Sequence, residues 1–114
     1  MQDRFQMAWV ELQFMEQAVK VLCDCRQTLM YTYVFAFYNQ RSQQLNIFED
    51  NQRDLQKAVE QLSEYLEQDL DVEEDKDIRL KVIHSSTYCQ NRRKALIDHI
   101  SEGNDNEWWK YSYN

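Results

Sequence analysis

An all-α fold, an extended antiparallel three-helix bundle with a short aromatic C-terminal element, is what this sequence predicts, and three observations carry the prediction. The 114 residues hold one Gly and no Pro, whereas strand-rich folds need turns, and hairpin turns draw on Gly, Asn-Gly and Pro. Apolar residues recur at three- and four-residue spacing through three long stretches, the period of helix faces turned toward a core. With 43% hydrophobic content the chain can bury one core, and it is too short for two.

The first helix is expected over about residues 7–41. Met7, Val10, Phe14, Met15, Ala18, Val21, Leu22 and Cys25 fall on one arc at 100° per residue, and Leu12, Val19 and Cys23 widen that arc past half the circumference. Such a helix touches two neighbours. The run Leu29 to Tyr38 is apolar or aromatic all round, so two neighbouring helices cannot cover it and something further must: the aromatic tail, an element outside these residues or a partner domain, the tail together with an extra helix being the simplest cover. Ser42 to Asn46 reads as a polar connection, and Asn46 with Glu49 three residues on has the look of an N-cap with its capping-box partner. The second helix then runs over about residues 47–69, with Phe48, Leu55, Val59, Leu62 and Leu66 as its seam. The acidic stretch Asp71, Glu73, Glu74, Asp75 and Asp77 precedes a third helix over about residues 76–102, where negative charge suits the positive helix end. Ile78, Val82, Cys89, Leu96 and Ile100 share one sector of that helix, and Gly103 is placed to cap it. Trp108, Trp109, Tyr111 and Tyr113 form the aromatic tail, expected to lie back on the bundle as a turn or short helix.

Charge and composition exclude several function classes. A net charge of −7 repels phosphate backbones and anionic lipid, so neither nucleic acid nor membrane is an expected partner. The most apolar run has ten residues, about half of what a membrane span needs. Three cysteines, Cys23, Cys25 and Cys89, are an odd count, and a Cys-x-Cys on a helix points its thiols about 200° apart. A reducing intracellular compartment is the simpler reading. No pair among the cysteines, His84 and His99 has the usual zinc spacing, so no metal is expected, and the bland reading is buried thiols and surface imidazoles. No cofactor is expected either, since a phosphate-binding loop needs more than one glycine. Cys25 lies mid-helix and Cys89 in a core-facing sector, neither the place for a nucleophile. The segment reads as a binding module with no catalytic residue.

One row of side chains suggests an interaction surface. Glu49, Glu60 and Glu67 are spaced by eleven and seven residues, which places them within about 20° of each other on the second helix, opposite much of its apolar seam. A merely solvated helix face is the competing reading, because exposed carboxylates usually contribute little.

Several stretches resemble a known family. Trp9-Val10-Glu11-Leu12-Gln13-Phe14, the run Cys23-Asp24-Cys25-Arg26-Gln27-Thr28-Leu29-Met30-Tyr31-Thr32-Tyr33-Val34-Phe35-Ala36-Phe37-Tyr38 and Ile47-Phe48-Glu49-Asp50-Asn51-Gln52 are similar to the C-terminal Ariadne domain of the Ariadne-type RING-between-RING ubiquitin ligases. Leu62-Ser63-Glu64-Tyr65-Leu66-Glu67, Tyr88-Cys89-Gln90-Asn91-Arg92-Arg93 and Trp109-x-Tyr111 extend the resemblance over nearly the whole chain. It implies a parent ligase whose zinc-binding RING modules and active cysteine lie upstream, outside these residues. In the family this domain folds back on the catalytic RING-like module in cis and hides its cysteine, and neddylated cullin-RING complexes release it. The resemblance places Glu49 and Glu60 at that clasp, in a cytoplasmic or nuclear protein. The family domain begins with a further helix, and this sequence is expected to start after it, leaving the Leu29–Tyr38 surface open to self-association. Two alternatives from other classes stand beside this reading. One is a docking module that recruits substrates or partners through the acidic face or through Trp108 and Trp109; the other is a spectrin-like helical spacer.

Overall fold

The computed structural model describes residues 4–68 and 76–112, with side chains over 9–68 and 78–112. Three helices, α1 (Arg4–Phe37), α2 (Gln43–Glu67) and α3 (Lys76–Asp105), pack each against both others in an elongated body of 63 × 22 × 20 Å. Cross-helix contacts fix the directions. Along α1, Arg26 meets Ser63 and Thr32 meets Gln52, so α2 runs antiparallel to it, while Cys25 meets Cys89 and Thr28 meets Arg93, so α3 runs parallel. Up-down-up is thus the topology, and short connections between neighbours favour it.

The core is one layer per helix turn. Ala18, Val21, Leu22, Cys25 and Leu29 of α1 face Leu45, Phe48, Leu55, Ala58, Val59 and Leu62 of α2 and Val82, Cys89 and Leu96 of α3. Phe48, Leu55, Leu62, Val82, Cys89 and Leu96 are fully buried, at 0% exposure. The predicted seams of α2 and α3 therefore face inward. That of α1 does so only in part, because Val10, Leu12, Val19 and Cys23 are exposed. Buried polar groups are mostly satisfied across the helices: Gln52 Nε2 donates to Thr32 Oγ1 at 2.9 Å, and Thr32 Oγ1 to the Leu29 carbonyl at 2.9 Å.

Four local expectations are corrected. First, α2 starts a turn early. Ser42, in extended backbone, accepts from Leu45 N at 3.0 Å and is the N-cap, while Asn46 N already bonds the Ser42 carbonyl. The cause is Leu45, read as part of a polar connection yet fully buried. Its burial carries the helix back past Asn46, and Asn46 Oδ1 instead accepts from Arg41. Second, α1 ends at Phe37, four residues before Arg41. Asn39 N bonds the Ala36 carbonyl and Asn39 Nδ2 the Phe35 carbonyl, satisfying carbonyls left over at the helix end. Third, Gly103 does not cap α3. The helix continues to Asp105, Gly103 has no positive φ, and the chain reverses at Glu107 with φ 57°. Fourth, His99 is not a surface imidazole but is 9% exposed among Phe48, Trp108 and Trp109. The expectations for Asp69, for the acidic stretch over 71–75 and for Tyr113 lie outside the described residues.

The tail lies back on the bundle as an extended strap. Asn39 and Tyr111 form an antiparallel bridge, Gln40 N donates to the Lys110 carbonyl at 2.8 Å, and Ser112 N to the Tyr38 carbonyl. Trp109 is buried, donates Nε1 to the Ile100 carbonyl at 3.0 Å and sets its ring edge-on against Phe35 and Phe48. Phe35 is thereby covered, whereas Met30, Tyr31, Val34 and Phe37 remain exposed. The strap covers one side of the aromatic run and leaves the other open.

Burial holds the His99 imidazole below its ordinary value of 6.5, against an opposing pull from Glu102. The folded state thus prefers the neutral ring. His99's share of stability is complete above the unfolded value and is lost as pH falls through it toward the depressed folded value. Denaturant midpoints measured from about pH 7.5 down to 5 should therefore fall in the wild-type chain, and His99→Gln should flatten that part of the slope.

Candidate interaction surface

The acid row is on the outside of the bundle, though not where the wheel alone set it. Measured from the buried residues, Glu49, Glu60 and Glu67 stand about 110° from the middle of the buried arc of α2, beside the seam with α1 and not opposite the core. That position gives each carboxylate a neighbour. Glu49 pairs with Arg41 from the α1–α2 connection, its side chain 26% exposed against 65% for the arginine. Glu60 is exposed and lines a cleft of about 380 Å³ with Arg26, Met30, Tyr33 and Gln56. Glu67, also exposed, accepts from Ser63 Oγ at 3.4 Å, and Ser63 Oγ in turn accepts from Arg26 Nη2 at 3.1 Å.

The row therefore alternates acid and base along about 27 Å of α2, with exposed Met30 and the ring of Tyr33 beside it. Burial first, and the Glu60 carboxylate second, raise the Tyr33 phenol above its ordinary value, so it stays protonated and donates to Gln56. Carboxylates ringed by apolar surface are suited to a partner that brings cations and an apolar contact of its own. Arg26, Arg41 and Tyr33 were not foreseen as members of this surface. Arg41 precedes Glu49 by eight residues across a turn, a spacing that carries no signal until the turn geometry is known.

The opposite flank of α2 is tied to α3. Tyr88 Oη donates to Asp54 Oδ2 at 2.8 Å, which together with burial raises its phenol above the ordinary value, and Arg92 pairs with Asp54 at 2.9 Å while reaching Asn51 at 2.9 Å. Asp54 is thereby spent within the fold. Cys25 Sγ lies 3.7 Å from the Cys89 carbonyl, and contact with Cys25 followed by burial pushes the Cys89 thiol far above its ordinary value. Cys89 is fully buried, out of reach of a substrate. Among the described residues no three His, Cys, Asp or Glu side chains group as metal ligands, and no helix is long and apolar enough to cross a membrane.

An outward acidic row on a three-helix bundle fits many proteins, and comparison with known sequences narrows it. No family model matches the chain. The E3 ubiquitin-protein ligase ariadne-1 of Drosophila melanogaster is 54% identical over 106 residues, covering 93% of this chain and 21% of the relative. The E3 ubiquitin-protein ligase ARIH1 of Homo sapiens is 50% identical over 105 residues, and ari-1.1 of Caenorhabditis elegans 50% over 106. The chain is an Ariadne-type segment. It spans about a fifth of the length of these curated relatives. The Ariadne relationship removes the ground for a spectrin-like spacer, since the similarity covers 93% of this chain. The docking tail loses its motive too, because the Ariadne-type segment spends Trp109 inside the core and packs Trp108 against it.

Proposed function

We propose that this Ariadne-type segment is the regulatory domain of a RING-between-RING ubiquitin ligase, carrying no catalytic residue itself. It docks in cis on the catalytic RING-like module through Glu49, Glu60 and Glu67 and masks the active cysteine. Neddylated cullin-RING complexes release it. The observation that carries this reading is the outward position of the row on a rigid helix beside the α1–α2 seam, with Glu60 and Glu67 exposed and Glu49 partly so. Inhibition is by occlusion: a bundle of this size seated over the thiol blocks the approach of an acceptor lysine, and a few kcal/mol of closed-state contact keeps most molecules shut. Exposed ion pairs contribute about 0–1 kcal/mol each, weak enough for an activator to undo.

In a full-length ligase, Glu49→Ala with Glu60→Ala is expected to raise autoubiquitination in the absence of cullin by a few fold, matching about 1 kcal/mol of lost contact. Unchanged basal activity in a variant with wild-type helicity refutes the assignment. A zinc-dependent fold belongs, on this reading, to the upstream modules alone, and the location is cytoplasmic or nuclear.

A further inference from the structure

We infer that the groove between α2 and α3 is a docking site for an acidic amphipathic helix of a partner protein, one that presents two carboxylates four residues apart beside an apolar side chain. The groove is a cleft of about 510 Å³ lined by Lys57, Ala58, Gln61 and Tyr65 of α2 and by Lys81 and His84 of α3. None of its lining residues comes from α1. It lies about 130° around α2 from the acid row. A partner seated here leaves Glu49, Glu60 and Glu67 free, and the inference does not rest on the clasp.

Charge selects the occupant. The acid that lines the groove, Asp54, is already held by Tyr88 and Arg92. Lys57 and Lys81 are exposed and make no ion pair among the described residues, although the whole chain carries a charge of −7. Unpaired ammonium groups on both banks of a cleft, in an otherwise acidic protein, favour carboxylates. Their spacing sets the pattern. Tyr88 on Asp54 and Arg92 on Asn51 fix the antiparallel register, which brings Lys81 level with Gln61 and Leu62, about 7 Å along the groove from Lys57. A helix rises about 6 Å in four residues, so acids at i and i+4 reach both lysines. The floor beside them is apolar: Ala58 is buried, with a side chain small enough to let a partner backbone come close, and the Tyr65 ring is partly exposed. An apolar residue on the acidic face of the incoming helix covers both, the way an amphipathic helix fills a groove between two others. A nucleic-acid strand offers no such apolar stripe, and the net charge repels its further phosphates.

Nuclear magnetic resonance of the isotope-labelled chain tests the site. The probe is an end-blocked, alanine-based helical peptide of about 15 residues, with two Glu four apart and a Leu on the same face. It is expected to half-saturate the chain below about 1 mM. Amide signals of Lys57, Gln61, Tyr65, Lys81 and His84 should move, while those of Glu49, Glu60 and Glu67 stay in place. Lys57→Glu and Lys81→Glu should each weaken binding at least about fivefold. Both sites are exposed, so each variant should keep its helices, which circular dichroism checks. The same peptide with Lys in place of Glu should not bind. Absence of binding by the acidic peptide up to about 5 mM overturns the proposal. So does a response centred on the acid row, indifference to both charge reversals, equal binding of the Lys peptide, or tighter binding of an oligouridylate of about 12 nucleotides.

Discussion

Phe48→Ala is expected to lower stability by about 3–5 kcal/mol, the cost of removing a fully buried ring that nothing nearby can replace. Phe48 is 0% exposed and joins all parts of the molecule at the strap end: Phe35 of α1 edge-on at 5.2 Å, His99 of α3 at 5.6 Å and Trp109 of the strap at 5.8 Å. Losing it opens a cavity among Phe35, His99 and Trp109, and the Trp109 indole is held in place by its bond to the Ile100 carbonyl and the rings by their contacts with one another, which limits collapse. Against a total of about 5–15 kcal/mol for a domain, that is a large fraction. Thermal melting followed by circular dichroism should shift down by on the order of 10–20 °C. A shift of only a degree or two would mean that the ring is not packed as described. The variant bears on the candidate surface as well, because Phe48 precedes Glu49 and fixes the first turns of the helix that carries the row.

Gly103→Ala is expected to destabilise the chain although it replaces the poorer helix former with the better one. On propensity alone alanine would add about 1 kcal/mol to a helix interior. At this position, however, an added Cβ would fall within the Trp109 indole, on Nε1 and Cε2. Either the indole leaves or the helix shifts. Expelling Trp109 exposes a ring now 8% exposed and breaks its bond to the Ile100 carbonyl, a loss of about 2–3 kcal/mol that outweighs the propensity gain. The readouts are a lowered denaturation midpoint and a red shift of tryptophan emission, with the strap released from Tyr38 and Gln40. Adding Trp109→Ala to Gly103→Ala should cost less than the sum of the single changes, since the clash disappears with the ring. Stabilisation by Gly103→Ala would show that Trp109 does not sit there.

The helix count, the order of elements and the inward seams of α2 and α3 were legible in the chain, because a period of 3.6 residues and the scarcity of turn formers leave few alternatives. The glutamate row was legible as a row, since spacing along a rigid helix fixes relative angle. Its setting was not. Whether Glu49, Glu60 and Glu67 stand opposite the core or beside the α1–α2 seam depends on which arc of α2 is buried, and residues such as Gln52, polar yet 3% exposed, shift that arc through contacts with another helix. The start of α2 followed the same logic, with the burial of Leu45 overriding an Asn-x-x-Glu pattern that has the right spacing for a cap.

Sequence by itself determined the periodic quantities, those that depend only on neighbours three and four residues away: three amphipathic rods, a negative surface, a row of acids and an α1 too apolar for one interface. Tertiary structure decided everything that depends on residues far apart in the chain. Gly103 became a seat for an indole, His99 a buried ring, and Arg41 a partner of Glu49. Met30, Tyr31, Val34 and Phe37 of α1 stayed exposed, because two helices and a short strap cover only part of a third helix. Local spacing sets which residues share a face, and only the packing of whole elements sets what that face meets.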